Sequence, residues 1–490
     1  MIFCMLTETC DAEGAGAMSE AGQLNGRGLT RGQCLRSLAA GSTLLPGLLS
    51  ELFAEDSGVP GTVRGPSQLP HDRPRANRVI MLYMSGGVSH VDSWDHRPRL
   101  FRDAGKTVTV NEFQGRKGSF SMYLKAPQWK FRPRGNSGTE VSDLFPFMAD
   151  CVDDLCVIRS MKSDHTNHYE ATLGMHTGSF TFARPSMGSW ISYGLGTLNR
   201  NLPSFIVLAP HTPYAGGQVW GSDFLPGAYQ GTRVVPGTQP VANIQRRVGS
   251  EELQRLELGL LAGLNRRHQL RRSDDPELAA RIQSFETAFG MQREMPDVFD
   301  LSDETEQTFR SYGLQPGSTA GFGWQCLVAR RLAERGVRFV ELIDTGASGN
   351  WDAHGDMMSH APLAANVDQP VAALLKDLKQ RGLLDDTLVV WTTEFGRTPF
   401  NAAPQAAGRE HHHWVFSSWL AGGGVRGGMS WGQSDDYGID VASDEVHVHD
   451  FHATILHLLG LDHTRLTWRN SGRDYRLTDV HGRVVHEILS

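Results

Sequence analysis

The chain has 490 residues, of which 40% are hydrophobic and 21% are charged, and its formal net charge is −7. This composition is that of a globular protein and excludes a disordered or fibrous chain. The acidic balance gives no support for a nucleic-acid partner or for binding to a membrane surface. The 20 histidines, several of them clustered, direct attention to metal binding.

The first 54 residues have the layout of an export signal, with arginines ahead of an apolar run over 38–49. The start of this segment resembles a twin-arginine signal, but Gly32 stands where the second arginine belongs. We therefore predict an exported, periplasmic protein with a degenerate twin-arginine-like signal over 1–54. A cytoplasmic protein is the alternative. No apolar run reaches the about 20 residues of a membrane span, so we expect no stable span.

Residues 55–77 are rich in Gly, Pro, Ser and Arg and are predicted to be a linker. Five short apolar runs then have the composition of buried parallel strands. They cover 78–84, 155–161, 204–210, 336–344 and 387–394. Helical patterns, such as the one over 363–382, lie between them. This alternation predicts an α/β fold with a mostly parallel sheet and helices on both faces.

Residues 250–320 break the alternation, because two helical patterns follow one another there without a strand. We predict a helical cap inserted into the α/β domain. Six cysteines show no CxxC pair and no dense spacing, which excludes a zinc ribbon or a disulfide scaffold. Cys151 and Cys156 are either buried free thiols or, in an oxidising compartment, a bridge.

Side chains of the kind that bind metals follow four of the predicted strands. They include Asp92 after the first strand, Asp164, His165, His168 and His176 after the second, Asp352 and His354 after the fourth, and Glu394, His411 and His412 after the fifth. The candidate metal ligands among them are Asp92, Asp352, His354, Glu394, His411 and His412. The carboxyl ends of parallel strands meet at one edge of a sheet. We therefore expect these ligands to converge on a divalent metal ion.

Each of these residues also has an interpretation without a metal. The triple histidine 411–413 is then a solvated loop, Asp352 caps a helix, and Glu394 pairs with Arg397 or Arg409. The later histidines, in 447–463, are expected to be structural, since they accompany an apolar helical face. The chain lacks the spacing of a P-loop, a dinucleotide fingerprint or a G-x-S-x-G elbow.

The segments MSGGVSHVDSWDHRP, NWDAHGD, GLLDDTLVVWTTEFGRTP, GREHHHW and DFHATILHLLGLDH resemble the bacterial family called domain of unknown function 1501. The resemblance runs over nearly the whole chain. It implies the alkaline phosphatase and sulfatase superfamily, and hence a three-layer α/β/α sandwich over 78–488. It also implies metal-assisted hydrolysis of phosphate or sulfate esters by zinc, calcium, magnesium or manganese.

Several positions depart from the superfamily pattern. Glu394-Phe395 stands where the superfamily has an Asp-His metal pair, so the imidazole is missing. Ser85 stands where the superfamily has an aspartate after the first strand, and Asp92 is the candidate substitute for that aspartate. The resemblance gives Asp352 or Asn350, together with His354 and His411 or His412, as further metal ligands. Arg397 or Arg409 is the expected clamp for the ester oxygens.

The nucleophile is the largest departure, because the position expected to carry it falls near His168. Either Thr166 attacks, or His168 acts, or a water activated by the metal replaces the covalent step. The sequence thus predicts an exported metal-dependent hydrolase of sulfate or phosphate esters carried by a small molecule or an extracellular polymer. The alternatives are a non-catalytic binding or assembly protein with a structural metal, and a cytoplasmic mutase.

Overall fold

The computed structural model describes residues 70–245, 250–272, 276–346 and 350–490. The predicted signal segment and most of the predicted linker lie outside the described residues. Within them, no helix combines the length and the apolar character that crossing a bilayer requires. Cys151, Cys156 and Cys326 are buried free thiols, so the bridge considered for the first two is not formed.

The described strands are numbered in chain order. They are β1 Arg78–Met84, β2 Thr107–Phe113, β3 Arg116–Leu124, β4 Phe131–Arg134, β5 Thr139–Ser142, β6 Leu155–Lys162, β7 Phe205–Leu208, β8 Thr232–Val234, β9 Phe339–Asp344, β10 Thr387–Thr392, β11 Gly396–Arg397, β12 Phe400–Asn401, β13 His411–His412, β14 Phe416–Ala421, β15 Met429–Trp431, β16 Gln433–Ser434, β17 Val441–Ser443, β18 Val446–His447, β19 Trp468–Asn470 and β20 Arg473–Tyr475.

The described α-helices are numbered in the same way. They are α1 His90–Ser93, α2 Pro98–Arg102, α3 Pro146–Ala149, α4 His168–Thr177, α5 Met187–Leu195, α6 Glu251–Leu270, α7 Pro276–Phe299, α8 Glu306–Ser311, α9 Phe322–Glu334, α10 His360–Gln380 and α11 Val448–Leu458.

A nine-stranded sheet forms the centre of the fold, in the order β15-β6-β14-β10-β1-β9-β7-β8, with β18 also paired to β6. Strands β10, β1, β9, β7 and β8 are mutually parallel, and only β14 runs against its neighbours β10 and β6. All five predicted strands lie in this sheet. The α/β fold with a mostly parallel sheet is therefore confirmed.

Two hydrophobic cores lie on opposite faces of the sheet, because successive side chains of a strand point to opposite sides. On β1, Ile80 and Leu82 pack into the core that includes α9 and α10. Val79 and Met81 pack into the other core, which includes α4, α5 and α11. The molecule thus has three layers, helix on sheet on helix.

The segment predicted as a helical insertion contains α6, α7 and α8. Helix α7 enters the first core through Met295 and Val298, which are fully buried. Helix α6 has no buried residue along its whole length. The two helices therefore differ in their relation to the domain, and α6 presents most of its surface outward.

Candidate metal centre

The candidate centre lies at the carboxyl edge of the parallel strands, as predicted. His168 is the first residue of α4, which follows β6 and begins at the Asn167 N-cap. Asp352 and His354 come from the loop after β9, and His411 lies on β13, where it pairs with Arg397 of β11. Three distant segments of the chain thus bring these four side chains together where the sheet ends.

Four side chains each offer one ligand atom within 4.8 Å of the others: His168, Asp352, His354 and His411. Asp352 Oδ1 lies 2.9 Å from His354 Nε2 and 3.3 Å from both His168 Nε2 and His411 Nε2. Two ligands of one tetrahedral zinc ion lie about 3.3 Å apart, given metal–ligand distances of about 2.0–2.1 Å. The spacing is therefore that of ligands around one cation.

The Nδ1 atoms of the three histidines all face acceptors. His168 Nδ1 donates to Glu394 Oε1 at 2.8 Å, and His354 Nδ1 to Glu410 Oε2 at 2.8 Å. His411 Nδ1 donates to the Thr166 carbonyl at 2.6 Å. A neutral imidazole that carries its proton on Nδ1 keeps the Nε2 lone pair for a metal. In each neutral ring these contacts therefore favour the proton on Nδ1, so that Nε2 is the atom available to a metal.

The Nε2 atoms of the cluster face one another and Asp352 rather than separate partners of their own. His168 Nε2 is buried without a well-aligned hydrogen bond. His354 Nε2 and His411 Nε2 face each other across 2.9 Å, so their lone pairs repel unless a proton or a cation lies between them. Three imidazoles and one carboxylate suit zinc better than calcium or magnesium, which prefer oxygen ligands. The residues present therefore fit a transition metal.

Glu394 lies behind His168 rather than among the four ligand atoms. Its carboxylate accepts four hydrogen bonds: from the Gly86 N–H and His168 Nδ1 on one oxygen, and from the Tyr83 and Thr393 hydroxyls on the other. Burial alone would raise the pKa of Glu394, but these donors, His168 first among them, outweigh burial and lower it. An anionic Glu394 thus orients His168 and raises its basicity.

The charges of the cluster are strongly coupled. Burial works to raise the pKa of Asp352, but hydrogen bonds from the three histidines outweigh it and lower that pKa below the usual range. Hydrogen bonds to Asp352 and Glu410 raise the pKa of His354 to about 9. A bound cation would replace the proton that these carboxylates otherwise hold on the ring.

Neither arginine predicted as a clamp for the ester is free, which corrects the expectation. Arg397 is fully buried and donates to the carbonyls of Gly86 and Gly87 and to Asp352 Oδ1, the last at 2.5 Å. Arg409 is also buried and donates to Asp92 and to three backbone carbonyls. Both guanidinium groups therefore hold loops together and have no donor face open to solvent.

Three other predicted residues have partners of their own. Asp92 lies 2.7 Å from Arg409 Nε and also accepts from Ser89. His412 points away from the cluster, where its Nε2 donates to the Ile439 carbonyl at 2.7 Å. Thr166 contributes its carbonyl to His411, and its side chain is half-buried. Asp92 and His412 thus stand outside the four-residue cluster.

The sequence did not predict Tyr214 as part of the site, nor the contacts that Phe395 and Glu410 make there. The Tyr214 ring stacks on His168 with centroids 4.1 Å apart, and burial raises the pKa of its phenol to about 12, so it stays protonated. Phe395 packs against His168 and His411, at 4.9 and 4.7 Å. The position of Glu410, next to the triple histidine, could have indicated its role. No sequence pattern around Tyr214 indicates that it belongs to the site.

The profile of the family described as "Protein of unknown function (DUF1501)" matches residues 76–489. The chain belongs to this family. The match covers both the central sheet and the four-residue cluster, and it confirms the family resemblance seen in the sequence motifs. No curated protein matches the sequence.

Several solved structures are similar to this member of the DUF1501 family, all at low identity. The lipoteichoic acid synthase LtaP from Listeria monocytogenes is 9% identical, with 88% of this chain and 80% of that chain covered and a TM-score of 0.32. The PsFucS1 sulfatase from Pseudoalteromonas sp. is 12% identical, with 79% and 68% covered and a TM-score of 0.33. The alkaline phosphatase from the Antarctic bacterium TAB5 is 10% identical, with 79% and 98% covered and a TM-score of 0.31. At these values the similarities carry no argument about chemistry.

Proposed function

We propose that the protein is a metal-dependent hydrolase of phosphate or sulfate esters that uses a single ion held by His168, His354, His411 and Asp352. The observation that supports this most is the shared orientation of the rings, since all three turn Nε2 inward while Nδ1 faces Glu394, Glu410 or the Thr166 carbonyl. A metal in such a site supplies Lewis acidity, polarising an ester oxygen and lowering the pKa of water.

The protein's own residues supply the surroundings for this chemistry. His354 is 40% exposed, so that a substrate reaches the cluster from its side, while the His168 side chain is only 10% exposed. Tyr214 is 39% exposed and covers the His168 ring, where its protonated hydroxyl stands ready to donate a hydrogen bond to a substrate. Thr166 remains the predicted group for a covalent step, whereas His168, with Nδ1 on Glu394 and Nε2 turned towards the ion, has no nitrogen free to attack the ester.

The ester class follows from the resemblance and from metal chemistry rather than from a clamp. In the described residues around the cluster, Arg397 and Arg409 are occupied by internal acceptors. We therefore expect the anionic ester to be bound by the ion and by exposed hydrogen-bond donors beside the cluster, such as the Tyr214 hydroxyl. Export, and a substrate on an extracellular polymer, remain predictions that depend on residues 1–54.

A second candidate function, metal binding without catalysis, is favoured by the number of ligands. Three histidines and one aspartate complete a tetrahedral shell, and closed four-ligand shells are typical of structural zinc. Against it, Asp352 Oδ1 also accepts from Arg397 at 2.5 Å. A carboxylate held in this way would be a weak fourth ligand that a substrate can displace, which would give the ion the exchangeable position that catalytic zinc sites have.

The experiment compares two neighbouring histidines, His411→Ala and His412→Ala. Metal content is measured on the purified proteins, and turnover is measured with nitrophenyl phosphate, sulfate and phosphonate esters, before and after chelation and zinc repletion. We expect His411→Ala to lose both metal and turnover, and His412→Ala to keep both at some loss of stability. Equal metal content in the two variants would contradict the proposed ligand set. Full metal content in the wild-type protein without turnover of any ester favours the structural role.

A further inference from the structure

Helix α6 carries an unpartnered leucine stripe that points away from the domain. Leu253, Leu256, Leu260 and Leu264 are 38%, 49%, 57% and 50% exposed. Their spacing of three, four and four residues places them on one side of the helix. No described residue covers this outer stripe. Soluble monomers rarely expose apolar side chains contiguously, so such a stripe marks an interaction surface.

The opposite side of α6 is the one that meets the rest of the domain. Half-buried residues recur at Gln254, Leu258, Ala262 and Gln269, and Gln254 Nε2 donates to Gln292 of α7 at 2.8 Å. At 100° per residue, this inner side lies roughly opposite the outer stripe. Packing against α7 therefore leaves the leucines unburied.

The charges along α6 indicate which partner fits the stripe. Its first half, 251–260, carries three glutamates and one arginine. The following residues, 261–272, carry four arginines and no carboxylate. A second copy of α6 laid antiparallel brings each acidic end beside a basic end, whereas a parallel arrangement brings like charges together. The helix is complementary to itself only in the antiparallel direction.

We propose that the outer stripe of α6 pairs with the same stripe of a second copy of this chain, antiparallel and around a two-fold axis near Leu260. Such an isologous contact closes on itself and forms a dimer rather than a filament. A helix of 20 residues is about 30 Å long, which gives the flanking charged side chains room to extend the contact beyond the leucines. The dimer is independent of the metal centre.

The first test measures molar mass by light scattering on the full-length protein over a micromolar concentration series. We expect the wild-type protein to shift from 54.0 kDa towards twice that mass, and Leu260→Glu to remain monomeric. Leu198→Glu is the matched control, because Leu198 is 48% exposed elsewhere on the domain. Circular dichroism checks that each variant is folded. A wild-type protein that is monomeric at every concentration overturns the proposal. The proposal is equally overturned if residues 1–69 of the same chain, rather than a second copy, cover the stripe.

Cysteine cross-linking tests the direction and does not depend on a destabilising charge. The antiparallel arrangement pairs position 253 of one copy with position 267 of the other. We expect Leu253→Cys mixed with Arg267→Cys to form a cross-linked dimer under mild oxidation, and Leu253→Cys alone to stay at the wild-type background. Cross-linking of Leu253→Cys with itself, or none in the mixture, refutes the antiparallel pairing.

Discussion

The substitution Glu394→Gln tests whether the buried carboxylate behind His168 controls the metal site. A glutamine fits the four existing contacts: its amide oxygen accepts from His168 Nδ1 and from the Gly86 N–H, and its NH₂ group donates to the hydroxyls of Tyr83 and Thr393, both of which can accept. The fold is therefore retained while the negative charge is lost.

The expected effect is on metal affinity. Removing the outer partner of a metal-binding histidine costs about 10–100-fold in affinity, which is about 1.4–2.7 kcal/mol. Competition titration of the apoprotein with a zinc-binding dye measures this directly. We expect Glu394→Gln to weaken zinc binding within that range, and His168→Ala to weaken it further because a ligand is lost.

The sheet supplies a matched control in Glu341 of β9. Glu341 Oε1 lies 2.7 Å from His176 Nε2, and both side chains are buried, but neither belongs to the metal cluster. Glu341→Gln removes the negative charge from a second buried carboxylate–histidine pair and so costs stability, with no change in zinc affinity. The reasoning is refuted if Glu394→Gln binds zinc like the wild-type protein, or if Glu341→Gln weakens binding equally.

Three further outcomes are expected. Zinc at about 1,000 times its dissociation constant stabilises the folded state by about 4 kcal/mol, so a chelator should lower the melting temperature by several degrees, and an unchanged melting temperature would speak against a bound ion. Arg397→Ala should cost about 3–5 kcal/mol in denaturant unfolding, since it leaves Asp352 without its buried partner; a loss of turnover at full stability would instead restore Arg397 as a substrate clamp. Burial raises the pKa of Asp368 to about 6 although two backbone N–H groups of α3 donate to it. The folded chain then holds this proton more tightly than the unfolded chain, so the wild-type protein should lose about 2 kcal/mol of stability as the pH rises from 4 to 6. Asp368→Asn should flatten that slope in equilibrium unfolding at the two pH values.

The central sheet was predictable because its parallel strands are buried on both faces and therefore form continuous apolar runs in the sequence. Strand β14 was missed for the opposite reason. Its sequence, FSSWLA, contains two serines, and one of them, Ser418, is satisfied inside the sheet by Thr392 at 2.8 Å. This hydrogen bond cannot be inferred from the sequence, because Ser418 and Thr392 become neighbours only in the folded sheet. The β2–β3 and β4–β5 hairpins, which lie outside the central sheet, gave no comparable apolar run.

The ligand types were predictable, but their assignment was not. His411 and His412 are adjacent on β13, and alternation sends their side chains to opposite sides. The strand's pairing with β11, in which Arg397 lies opposite His411, decides which ring enters the cluster. The role of Arg397 was hidden in the same way, because its acceptors are mostly backbone carbonyls whose positions depend on the glycine turn after β1.

That turn connects the guanidinium of Arg397 to the metal cluster. Gly87 has a φ of +84°, and a Cβ there would lie 2.8 Å from the Phe395 ring, so the turn requires glycine. Its carbonyl and that of Gly86 hold Arg397, which in turn holds Asp352 Oδ1. Asp352 Oδ1 thus accepts from one fixed cation, the guanidinium of Arg397, and also faces the site proposed for a metal ion. Because an oxygen that already accepts from a guanidinium is a weaker donor to a metal, the three imidazoles would dominate the coordination of a bound ion. In the proposed hydrolase, the exchangeable position beside the exposed His354 would then follow from the Arg397 anchor, and such a position would distinguish a hydrolytic centre from a structural one.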